Sequence, residues 1–462
     1  MNKKIQSVRG MNDILPFENG DTGSSKQWQY VETIFSNTLK QYGYHEIRTP
    51  LVEKSELFHR GVGEVTDIVE KETYDFKDRN NENLTLRPEG TAGCVRAVIE
   101  HNMLRGAKQK LWYSGAMYRH ERPQKGRYRQ FYQLGVEALG FSDEAIEIET
   151  LLMTWRFWQQ LGLGKHVILE LNNLGSNQSR EQYKLKLIEY FESNLEKLDE
   201  DSNRRLYKNP LRILDSKNDQ MRQLIEHAPK LADHVDDESK ERFDALCNEL
   251  NSQKIPYKVN PYLVRGIDYY SNTVFEWVTD QLGSQGTICA GGRYDGLVKQ
   301  LGGPETPAFG FALGLERILI LLKQLHLFPQ LSNQPFIYFI HGNKVAQYKA
   351  LKLAEVIRNL LPDIPLEVNL SGGSFKSQFK QADKIEATFA IIIGDDELET
   401  NSIQLKPLTP KAQTIVANEL VKGSSNADEE ARKALIQKGQ LQLKITGENY
   451  LIKVLNKLKQ KA

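Results

Sequence analysis

The chain has 462 residues, of which 40% are hydrophobic and 26% charged, and its formal net charge at pH 7 is +1. This length exceeds what one hydrophobic core usually organises, so we expect about two to four domains. The balanced charge excludes a protein that coats nucleic acid through a basic excess, so any RNA must be bound through local patches and shape.

The first part of the chain alternates between helix-like and strand-like stretches. Residues 26–42 place their apolar side chains along one helix face, and a short strand over 44–48 stops before Pro50. Residues 84–87 predict a further strand, and residues 90–102 predict a helix rich in small side chains. This alternation indicates a domain of mixed α and β structure.

A long hairpin comes next. Residues 110–120 and 128–140 predict two strands, and the loop ERPQKGR joins them. The loop is longer and more basic than an ordinary hairpin turn, which makes it a candidate functional element. Residues 143–162 then predict a helix with a broad apolar face.

The middle of the chain changes character. From residue 175 to 255 the sequence is highly charged and helical, and we interpret it as a mostly α-helical insertion. Strand-like sequence returns between 262 and 294, and a glycine-punctuated helix is predicted over Phe309–Leu325. A proline-containing connector at 328–335 marks a domain boundary.

The C-terminal part has a different pattern. The apolar strands FIYFI, LEVNL and FAIIIG alternate with helices, which indicates a small α/β domain. From Gly423 onward a polar stretch leads into the basic amphipathic segment YLIKVLNKLKQKA. We therefore divide the chain into a domain at 1–327 with an insertion at 175–258, a second domain at 333–422, and an extension at 423–462.

Arginines occupy the chemically interesting positions. Planar guanidinium groups at strand ends and beside glycines suit phosphate recognition, because each can bond two oxygens at once. A single arginine of this kind is more often part of a surface salt bridge. The size of the set favours the functional interpretation: Arg119, Arg122, Arg127, Arg129, Arg265, Arg293 and Arg317.

Two acidic residues stand in apolar surroundings. Glu89 follows Pro88 at a predicted junction of strand and helix, and Glu137 lies on an otherwise apolar strand. A carboxylate is costly to bury without a partner, so each predicts either a structural ion pair or a seat for a cationic ligand. An amino group and an imidazole would be two such ligand groups.

Several familiar signals are missing from the sequence. It has no GxxxxGK[ST] loop, no HExxH motif and no histidine pairs at metal-ligand spacing. No nucleophile elbow supports a serine hydrolase. Cys94, Cys247 and Cys289 match neither a disulfide framework nor a zinc site, and no apolar run approaches the roughly 20 residues of a membrane span. We expect a cytoplasmic protein with no membrane partner and no metal ligands of its own.

These peptides together resemble the histidyl-tRNA synthetase family of class II aminoacyl-tRNA synthetases. The helix and strand that end at Pro50 resemble the first motif of the class, YRHERPQKGRYRQF at 118–131 the second, and GFALGLERI at 310–318 the third. Ala312 departs from the pattern, because many members have glycine there. The peptides that resemble the histidine enzymes themselves are RGMNDILP, TLRPEGT, NPLRILDSKN, LVRGIDYY and AGGRYDGL.

The resemblance covers about residues 8–420 and implies a fold. It implies a class II catalytic domain, an α/β (α+β) structure built on an antiparallel sheet, with a helical insertion. It also implies that 333–422 is a mixed α/β anticodon-binding domain, whose best peptide is GGSFKSQFKQADK at 372–384.

The resemblance further implies roles around ATP. Arg119 would hold the α-phosphate and the substrate carboxylate, and Arg265 would lie opposite it, which makes these two the expected catalytic residues. Arg317 would cover the adenine ring and reach the γ-phosphate. The other implied ATP contacts are Glu121, Arg127 and Phe131.

The histidine and tRNA contacts are implied in the same way. The α-amino group of histidine would be bound by Glu89, Thr91 and Gln133, and the imidazole would be surrounded by Glu137, Tyr269 and Tyr270. Arg122 and Gln124 would approach the acceptor end of the tRNA.

The implied reaction has two steps. The histidine carboxylate attacks the α-phosphorus of ATP, and fixed cations stabilise the charge that builds up. Mg²⁺ would accompany ATP and neutralise its β- and γ-phosphates. The terminal 3′-hydroxyl of tRNA(His) then attacks the adenylate, and a phosphate oxygen of the adenylate could accept the proton. The implied assembly is a homodimer.

The rival interpretations are relatives without catalysis. A regulatory paralogue that partners ATP phosphoribosyltransferase shares the catalytic fold but usually lacks the anticodon domain, and stress-sensing kinases carry a synthetase-like module that only binds tRNA. The presence of the arginines, of both glutamates and of the extra domain favours the enzyme. The basic tail after Gly423 would either contact RNA or cap its domain with a solvated face.

Overall fold

The computed structural model describes residues 4–63, 66, 68–214, 216, 218–265, 267, 269–283, 286–329, 331, 335–420, 443–446 and 448–461. Gly266 and Asp268 of the LVRGIDYY peptide lie outside the described residues, as does the polar stretch at 421–442. The chain divides into two compact units, Met1–Leu331 and Ser332–Ala462. Each unit has its own sheet and its own core, and we describe them separately.

The first unit contains two sheets and the helices that cover them. Its strands are β1 (His45–Glu46), β2 (Val52–Lys54), β3 (Tyr74–Lys77), β4 (Asn83–Leu86), β5 (Gln109–Tyr118), β6 (Gln130–Leu139), β7 (Ile168–Asn173), β8 (Tyr257–Val259), β9 (Ser271–Val278), β10 (Thr287–Arg293) and β11 (Ala308–Gly314). Its helices are α1 (Ser25–Gln41), α2 (Ser55–Val62), α3 (Thr91–Glu100), α4 (Ala145–Gln160), α5 (Asn177–Glu192), α6 (Glu200–Arg205), α7 (Arg222–Glu226), α8 (Asp237–Ser252), α9 (Leu297–Gln300) and α10 (Leu315–Gln324).

The main sheet is largely antiparallel. Within the described residues its strand order is β1-β5-β6-β11-β10-β9-β7-β8, and only the outer pairs β1/β5 and β7/β8 are parallel. A small sheet of order β2-β4-β3 lies apart from it. The register of the central strands places Glu137 opposite Gly310 and Gln133 opposite Gly314. Polar residues of β6 therefore face backbone with little side-chain bulk.

One face of the main sheet carries the larger core. Trp28, Val31, Phe35 and Leu39 form the buried face of α1 and join a cluster with residues of α4 and α10. The helix begins with a capping box in which Ser24 and Gln27 satisfy each other's backbone N–H groups. Burying such side chains contributes roughly 1.5–3 kcal/mol each, so this face holds the sheet rigid beneath the site.

The centre of the opposite face is built from small residues. Gly135, Gly310, Ala312 and Ala290 lie on neighbouring strands at paired positions. A Cβ atom added at Gly310 would approach Glu137 Oε2 to 2.2 Å and the Val136 carbonyl oxygen to 2.4 Å. Gly310 therefore makes room for the Glu137 side chain, whereas Ala290, Ala312 and Gly314 line an open space above the sheet.

The inserted region between β7 and β8 is helical, as the charge pattern predicts. It contains α5, α6, α7 and α8, together with short 3₁₀ turns such as Pro210–Ile213. Its apolar residues, among them Tyr183, Leu187 and Phe191 of α5, join a second core cluster that also includes Leu263 and Tyr270. The insertion is thus packed against the segment that carries Arg265.

The second unit is a mixed sheet with helices. Its strands are β12 (Ile337–His341), β13 (Leu366–Val368), β14 (Phe389–Ile393), β15 (Ser402–Pro407) and β16 (Leu443–Thr446), in the order β13-β12-β14-β15-β16. Its helices are α11 (Lys344–Leu360), α12 (Phe375–Lys384), α13 (Asp395–Glu399), α14 (Pro410–Leu420) and α15 (Glu448–Lys461).

The described part of the C-terminal extension belongs to this second unit. β16 pairs antiparallel with β15, and Leu451, Leu455 and Leu458 of α15 are buried in the same core as α11. The opposite face of α15 carries lysines, one of which pairs with Asp363. Of the two alternatives for the tail, this arrangement favours the capping helix with a solvated face.

Three predicted elements differ in the structure. The glycine-rich segment predicted as one helix over Phe309–Leu325 is the strand β11 followed by α10, because its glycines and alanine pair in the sheet before the periodic leucines begin. The strand predicted over 44–48 is reduced to β1, and the strand-like residues at 262–270 form no strand among those described. Among the described residues, no helix has the length and apolar character needed to cross a membrane.

Candidate active site

A cleft opens over the small-residue centre of the main sheet. The space inside it, counted together with its open mouth, is about 1000 Å³. It is lined by Glu89, Thr91, Arg119, Glu121, Gly126, Arg127, Tyr128, Phe131, Gln133, Arg265, Ile267, Tyr269, Tyr270, Thr287, Ile288, Cys289, Ala290, Ala312, Gly314, Glu316 and Arg317. The structure therefore brings together most of the residues that the sequence nominates.

Arg119 lies at the mouth of the β5–β6 hairpin. Its Nε donates to the carbonyl oxygen of Pro88 at 2.9 Å, and its guanidinium carbon lies 5.1 Å from the centre of the Phe131 ring. The backbone N–H of Arg119 also donates to Arg129 across the hairpin. These contacts fix the guanidinium in the cleft beside an aromatic ring, an arrangement suited to holding a phosphate or a carboxylate.

Arg265 enters the cleft from the segment after β8. It forms an ion pair with Glu276 of β9, and its guanidinium lies 5.8 Å from the centre of the Tyr270 ring. Thr287 of β10 donates its hydroxyl to the other oxygen of Glu276 at 2.7 Å. The Nε atom of Arg265 is buried and has no hydrogen-bond partner among the described residues. A donor of this kind is costly to leave unpaired, which suggests that an anionic ligand completes it.

Arg317 is the first-turn arginine of α10 and lies across the cleft. Its Nη1 donates to the Thr287 carbonyl oxygen at 2.6 Å, and its Nε donates to the Gly126 carbonyl oxygen at 3.1 Å. Burial lowers the pKa of Arg317, and the neighbouring cations Arg127 and Arg119 lower it further. Cations held this close together repel one another, so a polyanion bound among them would be stabilised.

The hairpin loop lies at the arginine-rich side of the cleft, which Gly126, Arg127 and Tyr128 line. Gln124 and Arg127 exchange backbone hydrogen bonds around Gly126, whose φ of +72° favours glycine. Arg127 forms an ion pair with Glu121. Arg122 and Gln124 do not line the cleft and are on the loop above it.

The loop is also tied to the N-terminal segment. The backbone N–H groups of Arg129 and Gln130 both donate to the Gly10 carbonyl oxygen, at 2.8 and 3.1 Å. Arg129 directs its Nε to the Glu121 carbonyl oxygen at 3.2 Å, inside the hairpin. Arg129 and Gly10 of the RGMNDILP peptide therefore support the shape of the loop. Neither residue lines the cleft.

Glu89 stands at the start of α3. The backbone N–H groups of Thr91 and Ala92 donate to its two oxygens at 2.6 and 2.8 Å. Burial raises the pKa of Glu89, and these two hydrogen bonds oppose the shift. The carboxylate is thus held at a helix N-terminus while it lines the cleft, where it can accept from an ammonium group.

Glu137 does not itself line the cleft and lies just beneath its floor. It is 1% exposed and accepts hydrogen bonds from the hydroxyl groups of Thr91 at 2.7 Å, Tyr113 at 3.1 Å and Tyr294. Burial raises the pKa of Glu137 to about 8. Of its partners, Thr91 also lines the cleft and connects Glu137 to it.

Gln133, Tyr269 and Tyr270 line the same cleft as Glu89. The side-chain oxygen of Gln133 is buried and has no donor among the described residues, although the residue lines the cleft. Tyr269 and Tyr270 pack with their ring centres 4.7 Å apart, and Tyr269 lies 5.4 Å from the Tyr294 ring. An acceptor without a donor beside Glu89 fits a ligand that brings N–H groups.

Arg293 is a correction to the sequence interpretation. It is fully buried, and its guanidinium is taken up by Glu147 at 2.6 Å and by the carbonyl oxygens of Phe141 at 3.1 Å and Asp143 at 3.3 Å. Arg293 does not line the cleft, and it stabilises the protein interior instead. The sequence pattern places it among the functional arginines because of the glycines beside it. Those glycines pair in β10.

The sequence reasoning missed several residues of the site. Glu276 holds Arg265, Tyr294 holds Glu137, and Glu316 accepts the Tyr132 N–H at 2.9 Å while lining the cleft. Burial raises the pKa of Glu316 to about 8. A signal for Glu276 existed, because it is a carboxylate on an apolar strand in the same way as Glu137.

No metal centre is found in the part of the chain that the structure describes. No group of three or more histidine, cysteine, aspartate or glutamate side chains converges there in a way that could hold an ion. The cleft offers separate carboxylates, of which Glu121 and Glu316 lie on its arginine-rich side.

The comparisons with known proteins point to one family. A family model described as histidyl-tRNA synthetase matches residues 11–318, and one described as an anticodon-binding domain matches residues 336–424. A relative from Legionella pneumophila (strain Lens), named histidine–tRNA ligase, is 55% identical over 412 residues, which cover 89% of this chain and 95% of the relative.

Solved structures agree with the sequence comparisons. The apo structure of the histidyl-tRNA synthetase from S. aureus matches with a TM-score of 0.73 at 36% identity and covers 88% of this chain and 95% of its own. The histidyl-tRNA synthetase from Nostoc sp. PCC 7120 matches with a TM-score of 0.65 over 98% of this chain and 99% of its own. At 17% identity the second match shows likeness of fold alone. The predicted fold class is confirmed.

Proposed function

The chain belongs to the histidyl-tRNA synthetase family and ligates histidine to tRNA, and we propose that it does so in the cleft over the main sheet. The observation that carries this proposal is the convergence of Arg119, Arg265 and Arg317 on one cleft that also holds Glu89 and Gln133. The cations suit ATP and a carboxylate, and the acidic and amide oxygens suit an ammonium group.

We assign the ATP side to the hairpin loop and α10. Arg317 and Phe131 bind adenine and the outer phosphates, with Arg127 and Glu121 beside them. ATP is a substrate, bound as its complex with Mg²⁺. Magnesium usually keeps water and phosphate ligands and needs only one or two carboxylates, which Glu121 or Glu316 can supply at the edge of the cleft. The ion neutralises charge on the β- and γ-phosphates when it is bound.

We assign the histidine side to the floor and the tyrosine wall. Glu89, Thr91 and Gln133 receive the α-amino group, which supplies the donors that the Gln133 oxygen lacks. Tyr269 and Tyr270 flank the imidazole, and Glu137 acts on it from beneath the floor through Thr91. Because a buried polar site rejects analogues that leave its groups unpaired, by roughly 10⁴-fold or more, this site needs no editing domain.

The chemistry of the first step follows from the two catalytic arginines. Arg119 and Arg265 enter the cleft from different elements, so the α-phosphate can be held between them while the histidine carboxylate attacks. Both are fixed before substrate binds, Arg119 by Pro88 and Arg265 by Glu276. Fixed cations stabilise the charge of the transition state without reorganising. In the second step the adenylate phosphate is the proposed proton acceptor.

The remaining assignments are proposals of the same kind. Arg122 and Gln124 approach the acceptor end of tRNA(His), and 1–327 is the catalytic domain with its insertion at 175–258. Residues 333–422 form the anticodon-binding domain, and the described part of 423–462 is best counted with it because β16 extends its sheet. The enzyme is a homodimer, and its cytoplasmic location remains a prediction from the sequence.

The described residues favour the enzyme over its non-catalytic relatives, because Arg119, Arg265 and Arg317 line one cleft together with Glu89, and Glu137 lies directly beneath it. The test is ATP–pyrophosphate exchange with histidine and with each of several other amino acids, followed by charging of tRNA(His). Exchange that depends on histidine alone supports the proposal. A folded protein that shows no exchange with any amino acid contradicts it and favours the regulatory paralogue. Light scattering of the same sample measures the dimer.

A further inference from the structure

The wall that carries Arg265 separates two spaces. Arg265, Ile267 and Tyr270 line the main cleft, and the same three residues also line a small cavity with room for about one water molecule. That cavity is also lined by Arg180 of α5 and by Asn209 and Leu211. Because the cavity is so small, a long side chain of the inserted region can reach across it to the backbone of the wall.

One tether comes from the inserted region. Arg180 lies in the first turn of α5, and its Nη1 donates to the carbonyl oxygen of Tyr270. The Tyr270 ring faces the cleft beside Arg265 and touches Tyr269. Arg180 thus reaches past the cavity to hold the backbone of a residue whose side chain forms the histidine side of the cleft.

Two further tethers come from β7 and from the residues that directly follow it. Asn172 of β7 donates its amide to the Leu263 carbonyl oxygen at 2.9 Å, and the Asn272 N–H donates to the Gly175 carbonyl oxygen at 2.8 Å. These bonds hold the two ends of the segment. Between them, Arg180 makes a polar contact from the insertion to the wall backbone.

We propose that Arg180 is a positioning residue for the histidine pocket, through which the first helix of the inserted region sets the place of Tyr270 and so of the Tyr269–Tyr270 wall. This inference rests on the proposed function and adds a residue outside the cleft to it. Arg180 does not line the cleft, so it acts on substrate only through Tyr270. The ATP side is built from the hairpin loop and α10, which are different elements from the tether, and it is unaffected.

The proposal separates the two substrates. Arg180→Ala is expected to raise the KM for histidine in pyrophosphate exchange by about 10- to 100-fold, the ratio that corresponds to one lost hydrogen bond from a charged group. The KM for ATP stays within about twofold of the unmodified enzyme, because the hairpin loop and α10 are not tethered by Arg180. Arg180→Lys keeps the positive charge but lacks the planar guanidinium group, and it is expected to recover part of the histidine affinity.

Lys184→Ala is the matched control. It lies one turn further along α5, pairs with the solvent-facing Glu181, and leaves both KM values unchanged. If Arg180→Ala does not fold, the same two KM values are measured for Arg180→Lys. The expected result is then a higher KM for histidine with an unchanged KM for ATP. A histidine KM equal to that of the unmodified enzyme, or equal rises for histidine and ATP, overturns the inference. Absence of histidine-dependent exchange in the unmodified enzyme overturns the proposed function instead.

Discussion

An arginine–glutamate pair lies at each end of β10. The two pairs differ in whether the arginine keeps a guanidinium N–H donor without a protein partner. At the first end, Arg265 pairs with Glu276 next to Thr287, and its side chain remains 19% exposed, with no partner for Nε among the described residues. At the last residue of the strand, Arg293 is 0% exposed and directs all three guanidinium nitrogens to Glu147, to Asp295 and to backbone oxygens.

The difference shows how a ligand-binding arginine can be told from a structural one. Both residues sit in glycine-containing peptides, and the local pattern puts both in the arginine set, although the family resemblance implies a catalytic role for Arg265 alone. A guanidinium whose donors are all consumed stabilises the fold, whereas one that is held in place but keeps a donor can still act on a ligand. Three arginine substitutions test that distinction, and a substitution of Glu137 tests the buried carboxylate beneath the cleft; they are given from the largest expected effect to the smallest.

Arg293→Ala should have the largest effect on stability. The substitution leaves Glu147 buried, with Arg242 only at 3.6 Å, and breaking such a pair costs about 3–5 kcal/mol of unfolding free energy. Urea unfolding followed by tryptophan fluorescence measures the loss, and the KM values of the folded fraction should not change. The double variant Arg293→Met, Glu147→Leu should recover much of the stability, because it removes both charges. A fully stable Arg293→Ala would contradict the comparison.

Arg265→Ala should have the largest effect on activity. Removing one fixed cation from the reacting phosphate is expected to lower the rate of pyrophosphate exchange by about 100- to 1,000-fold. Unfolding should change less than in Arg293→Ala, because Glu276 keeps the Thr287 hydroxyl and the pair is partly exposed. Glu276→Gln is the matched control, since it preserves the shape of the site and one acceptor. An Arg265→Ala enzyme with normal exchange would remove Arg265 from the catalytic set.

Glu137→Gln should flatten the pH dependence of stability. The folded pKa of about 8 lies above the ordinary value of 4.5, so the folded chain keeps a proton that the unfolded chain has lost. The stabilising contribution is therefore complete below about pH 4.5 and declines as the pH rises to about 8. Glu316, with a pKa also raised to about 8, contributes the same sign and remains in the variant. An unchanged slope of unfolding free energy across that pH range would refute this.

Arg204→Ala should have the smallest effect. This arginine pairs with Asp201 on the surface of α6, with side chains 45% and 62% exposed. Such pairs contribute about 0.2–1 kcal/mol, and salt screens them. The same denaturation assay, run beside Arg293→Ala, shows whether the cost of an arginine–carboxylate pair follows its burial. A loss as large as that of Arg293→Ala would show that it does not.

Much of the fold follows from local patterns. The apolar faces of α1 and α4 and the two strands of the β5–β6 hairpin lie within a few residues of the predicted bounds, because their periodicity is regular and long. The prediction of a single helix over 309–325 was wrong. Its small residues fit either element, and only the pairing of Gly310 with Glu137 across the sheet decides for a strand.

The residues of the site also fall into those that the sequence predicts and those that it does not. Family peptides nominate the residues expected to touch substrate, and most of these lie together in the cleft. They do not reveal what holds those residues, since Glu276, Tyr294 and Arg180 are distant in sequence from their partners Arg265, Glu137 and Tyr270. Such support depends on sheet register and on the packing of the insertion, and neither is written in a local pattern.

The pairing of β16 with β15 has a practical consequence for handling the protein. A chain cut before Leu443 would uncover the free edge of β15 together with the apolar seat of Leu451, Leu455 and Leu458. An exposed, flat, apolar edge is a template for pairing between molecules. Shortened versions made for crystallisation should therefore precipitate on storage, and a tag is better placed beyond Lys461 than substituted for the last helix.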